Sequence, residues 1–291
     1  MNKLGFVSLT AIEKGWSGDR KFKAVDAEGK LYLLRLSPME RVAQRQKLYD
    51  MLCSLPQEIA ISRPLAFGTC SEGVYTLYEW VEGIDAEESI PSLPADVQYR
   101  LGLEAGKTLR QIHTIPAPAE LEPWHLRFGR KIDRKLAQYE ACSLAYPDGA
   151  RIVDFIKGNR NRIEGRPQTF QHGDYHIGNM MMTGDRLMVI DFDRFDFGDP
   201  WEEYNRIVWC AQAAPAFAAG QIDGYFEEGI PEDFFPLLAL YIAVNTLSSL
   251  PWAIPFGQEQ IDVFMAQERE VMDWYDGFRR VVPRWYSEYH K

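Results

Sequence analysis

The sequence is short of several features that would narrow its function at once. Its four cysteines are scattered, with no CxxC pair and no metal-ligand rhythm, which indicates reduced core thiols in a cytoplasmic protein. Basic residues are outnumbered, with 32 Lys and Arg against 42 Asp and Glu, so we expect no nucleic-acid partner. The first residues contain no long apolar stretch, and we expect no signal peptide.

Uninterrupted apolar runs are also missing. The longest candidate, FFPLLALYIAVNTLSSLPWAI, approaches the length of a membrane span but contains Pro236, Asn245 and Pro251. These residues fit a buried core helix better, so we expect no membrane segment. A composition of 46% hydrophobic and 25% charged residues over 291 positions predicts a soluble globular protein of one or two domains.

What is present is an ordered change of pattern along the chain. Strand-like runs before residue 83, interrupted by one helical pattern, predict the order β-β-β-α-β-β. The pattern then becomes helical, with one long helical stretch at 125–164 and helices from residue 200 to the end. Between them, NMMMTGDRLMVI predicts a hairpin around a TGD turn. The predicted fold class is therefore α+β, with a small sheet lobe at 1–83 and a larger helical lobe at 84–291.

One group of polar residues stands out by its spacing. HGDYHIGN places Asp174 five positions before Asn179, and VIDFD places Asp191 at the end of an apolar strand. Each residue alone has an ordinary interpretation, as a turn former, a hairpin start or a loop cap. Together they reproduce the protein-kinase arrangement for phosphoryl transfer, an Asp-x4-Asn loop followed by D-F-G. The hairpin would bring Asn179 and Asp191 close together.

Two metal-site alternatives fail on their flanking residues. His172 and His176 have the spacing of a helical zinc pair, yet the surrounding pattern is strand and loop. Acidic residues from Asp191 onward occupy positions 1, 3 and 12 of a calcium-binding loop, but Asp196 stands at position 6, where Gly is required.

With these residues in hand, the chain resembles the aminoglycoside phosphotransferase family over nearly its whole length, a family whose fold is similar to that of protein kinases. The resemblance implies that Asp174 is the catalytic base and that Asn179 and Asp191 hold Mg²⁺. It implies ATP or GTP as co-substrate and a hydroxyl group of a small molecule as acceptor, with antibiotic resistance as the role if that acceptor is an aminoglycoside.

The resemblance also places the nucleotide. KGWSGDRKF resembles the loop over the nucleotide phosphates, which would use Gly15, Ser17 and Gly18, although an ordinary Gly-Ser turn has the same composition. YEWVEG resembles the segment that joins the lobes, where backbone groups of Glu79 and Val81 would bind adenine.

The phosphate-binding cation of the family corresponds to Arg35 in LYLLRLS, where a guanidinium can hold phosphate oxygens bidentately. The family pairs this cation with a Glu on the following helix. By the apolar spacing of that helix the Glu should fall at Leu48, and Gln44 and Glu40 are the candidate substitutes. The sequence therefore departs from the family at this position.

Two features favour a small acceptor over a protein. Gly173 replaces the Arg that pairs with a phosphorylated activation loop in many protein kinases. GDPWEE follows Asp191 within about ten residues, which leaves little room for such a loop.

The leading hypothesis is transfer of the γ-phosphoryl group to a hydroxyl of a cationic small molecule, with an aminoglycoside as the first candidate. The net charge of −10 is compatible with such an acceptor. Glu203, Glu270 and Asp273 are candidate contacts for it. Asp199 and Glu202 instead match a capping box at a helix start, so we expect Glu202 to be structural.

Fold and motif do not choose the acceptor. The second hypothesis is a metabolic kinase of similar fold, for choline, homoserine, methylthioribose or a sugar. A third is a nucleotide-binding protein with little catalysis, which the departure at Leu48 keeps open. The oligomeric state is left open as well.

Overall fold

The computed structural model describes residues 5–13 and 18–290, and these fold into a mixed α+β structure. The strands are β1 (Ser8–Ile12), β2 (Arg20–Val25), β3 (Leu31–Ser37), β4 (Pro64–Cys70), β5 (Gly73–Glu79), β6 (Ile84–Asp85), β7 (Thr169–Gln171), β8 (Met180–Thr183), β9 (Arg186–Val189) and β10 (Asp196–Gly198). The helices are α1 (Val42–Ser54), α2 (Ala86–Ser89), α3 (Ala95–Ile112), α4 (Trp124–Glu140), α5 (Gly149–Asn159), α6 (Ile207–Ala213), α7 (Pro215–Tyr225), α8 (Phe234–Ala253), α9 (Gln258–Trp274) and α10 (Arg284–Tyr289). The order β-β-β-α-β-β predicted for the first part of the chain is confirmed.

Contacts between Cα atoms divide the chain into two compact units. The first unit contains Met1–Ser89 and Asn179–Phe195, and the second contains Ile90–Gly178 and Asp196–Lys291. The hairpin of β8 and β9 therefore packs with the N-terminal residues, which the predicted division at residue 83 did not foresee. The division into functional lobes at that residue stays a prediction.

The first unit is built on a five-stranded antiparallel sheet in the order β1-β2-β3-β5-β4. On β3, Leu34 and Leu36 are buried in the core of this sheet. Side chains alternate along a strand, so Arg35 points to the opposite face. Lys21 on β2 pairs directly with Arg35 in the register, and the two cations are therefore neighbours on that face.

The predicted hairpin is confirmed, and it belongs to a small three-stranded sheet in the order β6-β8-β9. Its turn contains Gly184 with φ of +65°, a left-handed conformation that glycine adopts without a steric penalty. At its other end, Val189 donates its backbone N–H to the carbonyl of Ala60 at 2.9 Å and accepts from the N–H of Ser62 at 2.8 Å. These bonds fix the hairpin within the first unit.

The second unit contains an unusually close helix pair. A Cβ atom on Gly102 or Gly106 of α3 would collide with the backbone of α7, and one on Gly220 or Gly224 of α7 would collide with the backbone of α3. The two helices approach so closely because both present glycines, four residues apart, at the contact. The sequence analysis did not recognise this pattern.

Helix α8 forms the core of the second unit. Among the described residues, Phe234–Phe256 is the one segment long and apolar enough to cross a membrane. Of the 18-residue apolar stretch within it, 72% is buried inside the molecule. The Tyr241 hydroxyl, near the middle of α8, accepts from Trp124 Nε1 at 2.9 Å and donates to Asp199 at 2.6 Å. This burial is what we expected of a core helix.

Two sequence predictions were wrong. The single helical stretch at 125–164 is two helices, α4 and α5, separated by residues 141–148. A continuous helix would have placed Pro147 in its interior, where proline cannot donate a backbone hydrogen bond. All four cysteines are outside disulfides, as predicted, but among them Cys210 alone is buried and Cys53 is exposed, so they are not all core thiols.

Candidate functional site

The loop after β7 carries Asp174, and a glycine sets its course. Gly173 has φ of +85°, a region that side chains other than glycine rarely adopt. Its N–H donates to both carboxylate oxygens of Glu203, at 2.9 and 3.2 Å. Glu203 is itself buried, so its carboxylate is used to hold this loop. Its predicted contact with an acceptor stays a prediction.

Asp174 is partly exposed and lies among basic groups of the second unit. Its carboxylate Oδ1 is 3.2 Å from Arg206 Nε and 3.7 Å from His176 Nε2. Its backbone N–H donates to Nδ1 of the buried His172 at 3.2 Å. The backbone on both sides is therefore fixed, while the carboxylate is accessible and faces a guanidinium.

In the first unit, the open end of the hairpin brings Asn179 and Asp191 together. Ile190 donates its N–H to the carbonyl of Asn179 at 3.0 Å, directly beside Asp191. Asp191 has φ of +61° and ψ of +64°, a left-handed conformation that is uncommon outside glycine and that clusters at functional positions. The hairpin thus holds two oxygen-bearing side chains at one end.

Both carboxylate oxygens of Asp191 have cationic partners. Oδ2 accepts from Lys21 Nζ at 3.1 Å, and Oδ1 accepts from Arg35 Nη1 at 3.0 Å. Burial raises the pKa of Asp191, but the charges of Arg35 and Lys21 outweigh it and lower that pKa to about 2. Asp191 is therefore fully ionised at neutral pH.

Arg35 is buried and is oriented by a residue that the sequence analysis missed. Its Nε donates to Asp19 Oδ2 at 2.6 Å, and the Asp19 side chain has no exposed surface. Burial raises the pKa of Asp19, but hydrogen bonding to Arg35 and the charges of Arg35 and Arg45 lower it overall. Asp19 thus supplies the carboxylate that the resemblance placed on α1.

Helix α1 itself carries a cation at the buried position. Arg45 is 1% exposed, bonds Ser37 Oγ at 2.9 Å through Nε and contacts Asp19 and Asp193 through Nη2. Leu48, where the resemblance required a Glu, is an apolar core residue. The resemblance placed the carboxylate on the helix. Here the carboxylate comes from Asp19 in the loop before β2, and the helix contributes the cation Arg45.

Neither predicted substitute for the helix glutamate orients Arg35. Gln44 instead accepts from Arg41 Nε at 3.1 Å, and Glu40 lies exposed in the single turn that precedes α1. Both suggestions were wrong, because they followed spacing along the helix, whereas the partner comes from the loop before β2.

The resulting cluster in the first unit contains four cations and three carboxylates. Its members are Lys21, Arg35, Arg41, Arg45, Asp19, Asp191 and Asp193. The sum of their charges is +1, and Nη1 of Arg45 is buried without a hydrogen-bond partner among the described residues. A cluster with one surplus cation favours an additional anion such as a phosphate group.

A divalent cation would find suitable ligand types at Asn179 and Asp191. Mg²⁺ takes carboxylate and amide oxygens and keeps several waters, so one or two protein ligands suffice. The low pKa of Asp191 supplies the ionised carboxylate. Within residues 5–13 and 18–290, no group of three His, Cys, Asp or Glu side chains forms a complete metal site. The donor chemistry therefore fits Mg²⁺ shared with phosphate oxygens rather than a metal held by protein alone.

The other predicted nucleotide contacts are only partly within the described structure. Gly15 and Ser17 lie outside the described residues, and Gly18 is exposed with open space around its Cα. Glu79 is the last residue of β5 and pairs with Tyr32, and Val81 follows it half-buried. The roles of these residues stay predictions.

The predicted acceptor acids at the C-terminal side are already paired. Glu270 accepts from Gln212 Nε2 at 2.9 Å, and Asp273 pairs with Arg284 at 2.9 Å. Asp273 borders a cavity of about 420 Å³ whose other lining residues are Pro215, Trp274, Arg284, Trp285, Glu288 and Tyr289. Their contact with an acceptor stays a prediction.

The predicted capping box is wrong in one half. Asp199 accepts from the N–H of Trp201 at 3.0 Å through its side chain, as a helix-starting residue does. Glu202 does not reach back to Asp199. Its carboxylate accepts from Lys131 Nζ at 3.0 Å and from Gln171 Nε2 at 3.3 Å.

The described residues form a kinase-type sheet, a loop that carries Asp174, and a hairpin that runs from Asn179 to Asp191. These features are typical of the class of phosphoryl-transfer proteins. A model of the phosphotransferase enzyme family (APH) matches residues 8–234. The chain belongs to this family, and the predicted resemblance and the protein-kinase-like α+β fold are confirmed.

Several solved structures share the fold. One is a thermostable mutant of aminoglycoside phosphotransferase APH(4)-Ia in ternary complex with ADP and hygromycin B, with 18% identity, a TM-score of 0.67, and coverage of 93% of this chain and 95% of that chain. Another is ADP-bound aminoglycoside phosphotransferase APH(2'')-Ib, with 16% identity, a TM-score of 0.63, and coverage of 93% and 96%. A choline/ethanolamine kinase family protein from Mesorhizobium loti has 15% identity, a TM-score of 0.66, and coverage of 95% and 92%.

Proposed function

We propose that this protein is an O-phosphotransferase that uses Mg²⁺ and ATP or GTP to phosphorylate a hydroxyl group of a small molecule in the cytoplasm. The observation that carries the proposal is the end of the hairpin in the first unit. There the ionised Asp191, in a left-handed conformation beside Asn179, is paired with Arg35 and Lys21. Family membership supports the same reaction class.

Each residue has a distinct role in this proposal. Asp174 orients the acceptor hydroxyl and receives its proton. Arg35 and Lys21 bind phosphate oxygens, which would take the place of the Asp191 carboxylate as partners of these cations. Asn179 and Asp191 would hold Mg²⁺, which shields the negative charge on the transferred phosphoryl group. Backbone groups near Glu79 and Val81 bind adenine, and the loop with Gly15, Ser17 and Gly18 covers the phosphates.

The first acceptors to test are aminoglycosides, because the similar structures include complexes of such enzymes with hygromycin B and gentamicin. Phosphorylation of an aminoglycoside would make the protein an antibiotic-resistance enzyme. Choline and ethanolamine come next, since a protein of that kinase family shares the fold. Homoserine, methylthioribose and sugars complete the panel.

The test measures nucleoside triphosphate turnover as each acceptor is added. We expect turnover to rise with a true acceptor, and Asp174→Asn to lower kcat by at least about 100-fold while Mg²⁺–nucleotide still raises the thermal stability. Asp185→Asn, in the exposed turn of the hairpin, is the matched control and should behave as the wild type.

The same assay separates the binding-only alternative. A protein that is stabilised by Mg²⁺–nucleotide, but whose turnover no acceptor increases and whose Asp174→Asn variant is unchanged, would be a nucleotide-binding protein with little catalysis. Loss of nucleotide binding in Asp174→Asn would instead show that the role given to Asp174 is wrong.

A further inference from the structure

A buried carboxylate holds the loop that carries Asp174. Glu203 is 2% exposed, and its two carboxylate oxygens share one donor, the backbone N–H of Gly173, at 2.9 and 3.2 Å. Within residues 5–13 and 18–290, the one side chain at ion-pairing distance from this carboxylate is His113. A single backbone donor compensates poorly for a carboxylate that has been removed from water, so a second donor is needed.

His113, which ends α3, is placed to be that second donor. Its Nε2 lies 3.8 Å from Glu203 Oε2, and its side chain is as deeply buried as that of Glu203. This nitrogen is buried and has no hydrogen-bond partner in the part of the chain that the structure describes. The separation is longer than a hydrogen bond, so the contact is electrostatic, and solvent does not screen it.

The other ring nitrogen of His113 determines where the ring proton is. Nδ1 lies 2.9 Å from the hydroxyl of Tyr225 on α7. Burial raises the pKa of Tyr225, so the phenol keeps its proton and can donate it to Nδ1. The ring proton is then on Nε2, facing Glu203, where a bare lone pair would be repelled by the carboxylate.

We infer that His113 is a positioning residue: its ring, oriented by Tyr225, holds the Glu203 carboxylate against the N–H of Gly173 and so fixes the backbone that carries Asp174. All of these contacts lie within the second unit. His113 acts through Glu203 rather than on a reacting group. The inference rests on the proposed function, since it concerns the placement of the residue that we propose as catalytic base.

The experiment removes both ring nitrogens in His113→Leu and measures two quantities. The first is the hydrogen-exchange rate of the Gly173 amide, relative to amides of α8, without nucleotide. The second is kcat for ATP with kanamycin or choline, whichever raises turnover. We expect the relative exchange rate to rise at least about 10-fold, because the amide loses its fixed acceptor. We expect kcat to fall at least about 10-fold with a much smaller change in KM for ATP, because a catalytic group displaced by about 1 Å loses up to about 100-fold in rate.

Two further variants separate positioning from a general loss of stability. His113→Gln keeps a side-chain N–H for Glu203 and a carbonyl oxygen for Tyr225, and it should restore most of the exchange protection and of kcat. The matched control is Leu101→Ala, which opens a cavity at a fully buried position about three turns earlier on α3. It should lower the thermal stability while leaving the relative exchange rate and kcat unchanged.

Three outcomes would overturn the inference: wild-type exchange and kcat in His113→Leu, an equal effect of Leu101→Ala on both quantities, or no recovery in His113→Gln. A wild-type protein that shows no turnover with Mg²⁺–nucleotide would instead remove the proposed function. The exchange rate of the Gly173 amide in the same variants then decides by itself whether His113 holds the loop.

Discussion

The charged side chains of the two units differ in how deeply they are buried. In the first unit, Asp19, Arg35 and Arg45 are almost fully buried and bond to one another. In the second unit, the Asp174 and Arg206 side chains form an ion pair that is partly exposed, and Lys135 has no ion-pair partner within the part of the chain that the structure describes. Buried ion pairs fix the geometry of their side chains, whereas partly exposed charges such as Asp174 can still be reached by a ligand.

Arg35, the cation that we propose to bind phosphate, is oriented without the usual helix carboxylate. Arg35 is held by Asp19 from the loop before β2, while α1 contributes Arg45 to the same carboxylate. Orienting the Arg35 guanidinium requires a carboxylate beside it, and that carboxylate can come from a loop as well as from a helix.

The largest expected effect is in the buried network of the first unit. Asp19→Ala removes the fully buried one of the two carboxylates that Arg35 and Arg45 share, and Asp193 remains. We expect a loss of about 3 kcal/mol in the free energy of unfolding, measured by urea denaturation. As control, Asp133→Ala on α4 removes an exposed ion pair with Arg160 and should change stability little. Equal stability of the Asp19 variant and wild type would show that the network does not hold the first unit together.

A second prediction concerns the uncharged packing of the second unit. Gly102→Ala places a Cβ against the backbone of α7 and should destabilise the protein by about 3 kcal/mol, because neither helix can move without losing its contacts. Gly158→Ala in α5 meets nothing within 4 Å and should be neutral or slightly stabilising. If both variants are equally stable, the close approach of α3 and α7 is not required.

The pH dependence of the first unit gives the next effect. The folded-state pKa of Asp191 is about 2 against an ordinary 3.8, so its stabilising contribution is present above pH 4 and is lost as pH falls towards 2. Removing that carboxylate in Asp191→Asn should cost about 2 kcal/mol at neutral pH and flatten the fall in stability between pH 4 and 2. Unfolding curves with the same slope in variant and wild type over this range would contradict the pairing.

The smallest expected effect has the opposite sign and lies in the second unit. Lys135 has a folded-state pKa of about 7 against 10.5, so the unfolded chain binds more protons between these values and stability rises with pH there. Lys135→Met should therefore stabilise the protein by about 1 kcal/mol at pH 7, since solvent reaches the ammonium and screens it, and the gain should vanish near pH 10.5. Lys131→Met, which loses the Glu202 partner, should show no such gain.

The sequence by itself determined the local chemistry. The spacing of Asp174 and Asn179, the TGD turn and the alternation around Arg35 all depend on residues within a few positions of one another, and turns and hairpins follow from such short-range preferences. For the same reason the order of strands and helix along the first part of the chain, and the hairpin, could be predicted without coordinates.

Only the tertiary structure decided which charges meet. Asp19, Arg45 and Asp193 are far apart in the chain and have no common period, and a buried arginine on α1 reverses the expectation that helix cores are apolar. Likewise, the glycines of α3 and α7 are seen to be required for packing only when the two helix backbones are placed in contact. Burial and Coulomb attraction depend on distance in space, which local patterns of residues do not encode.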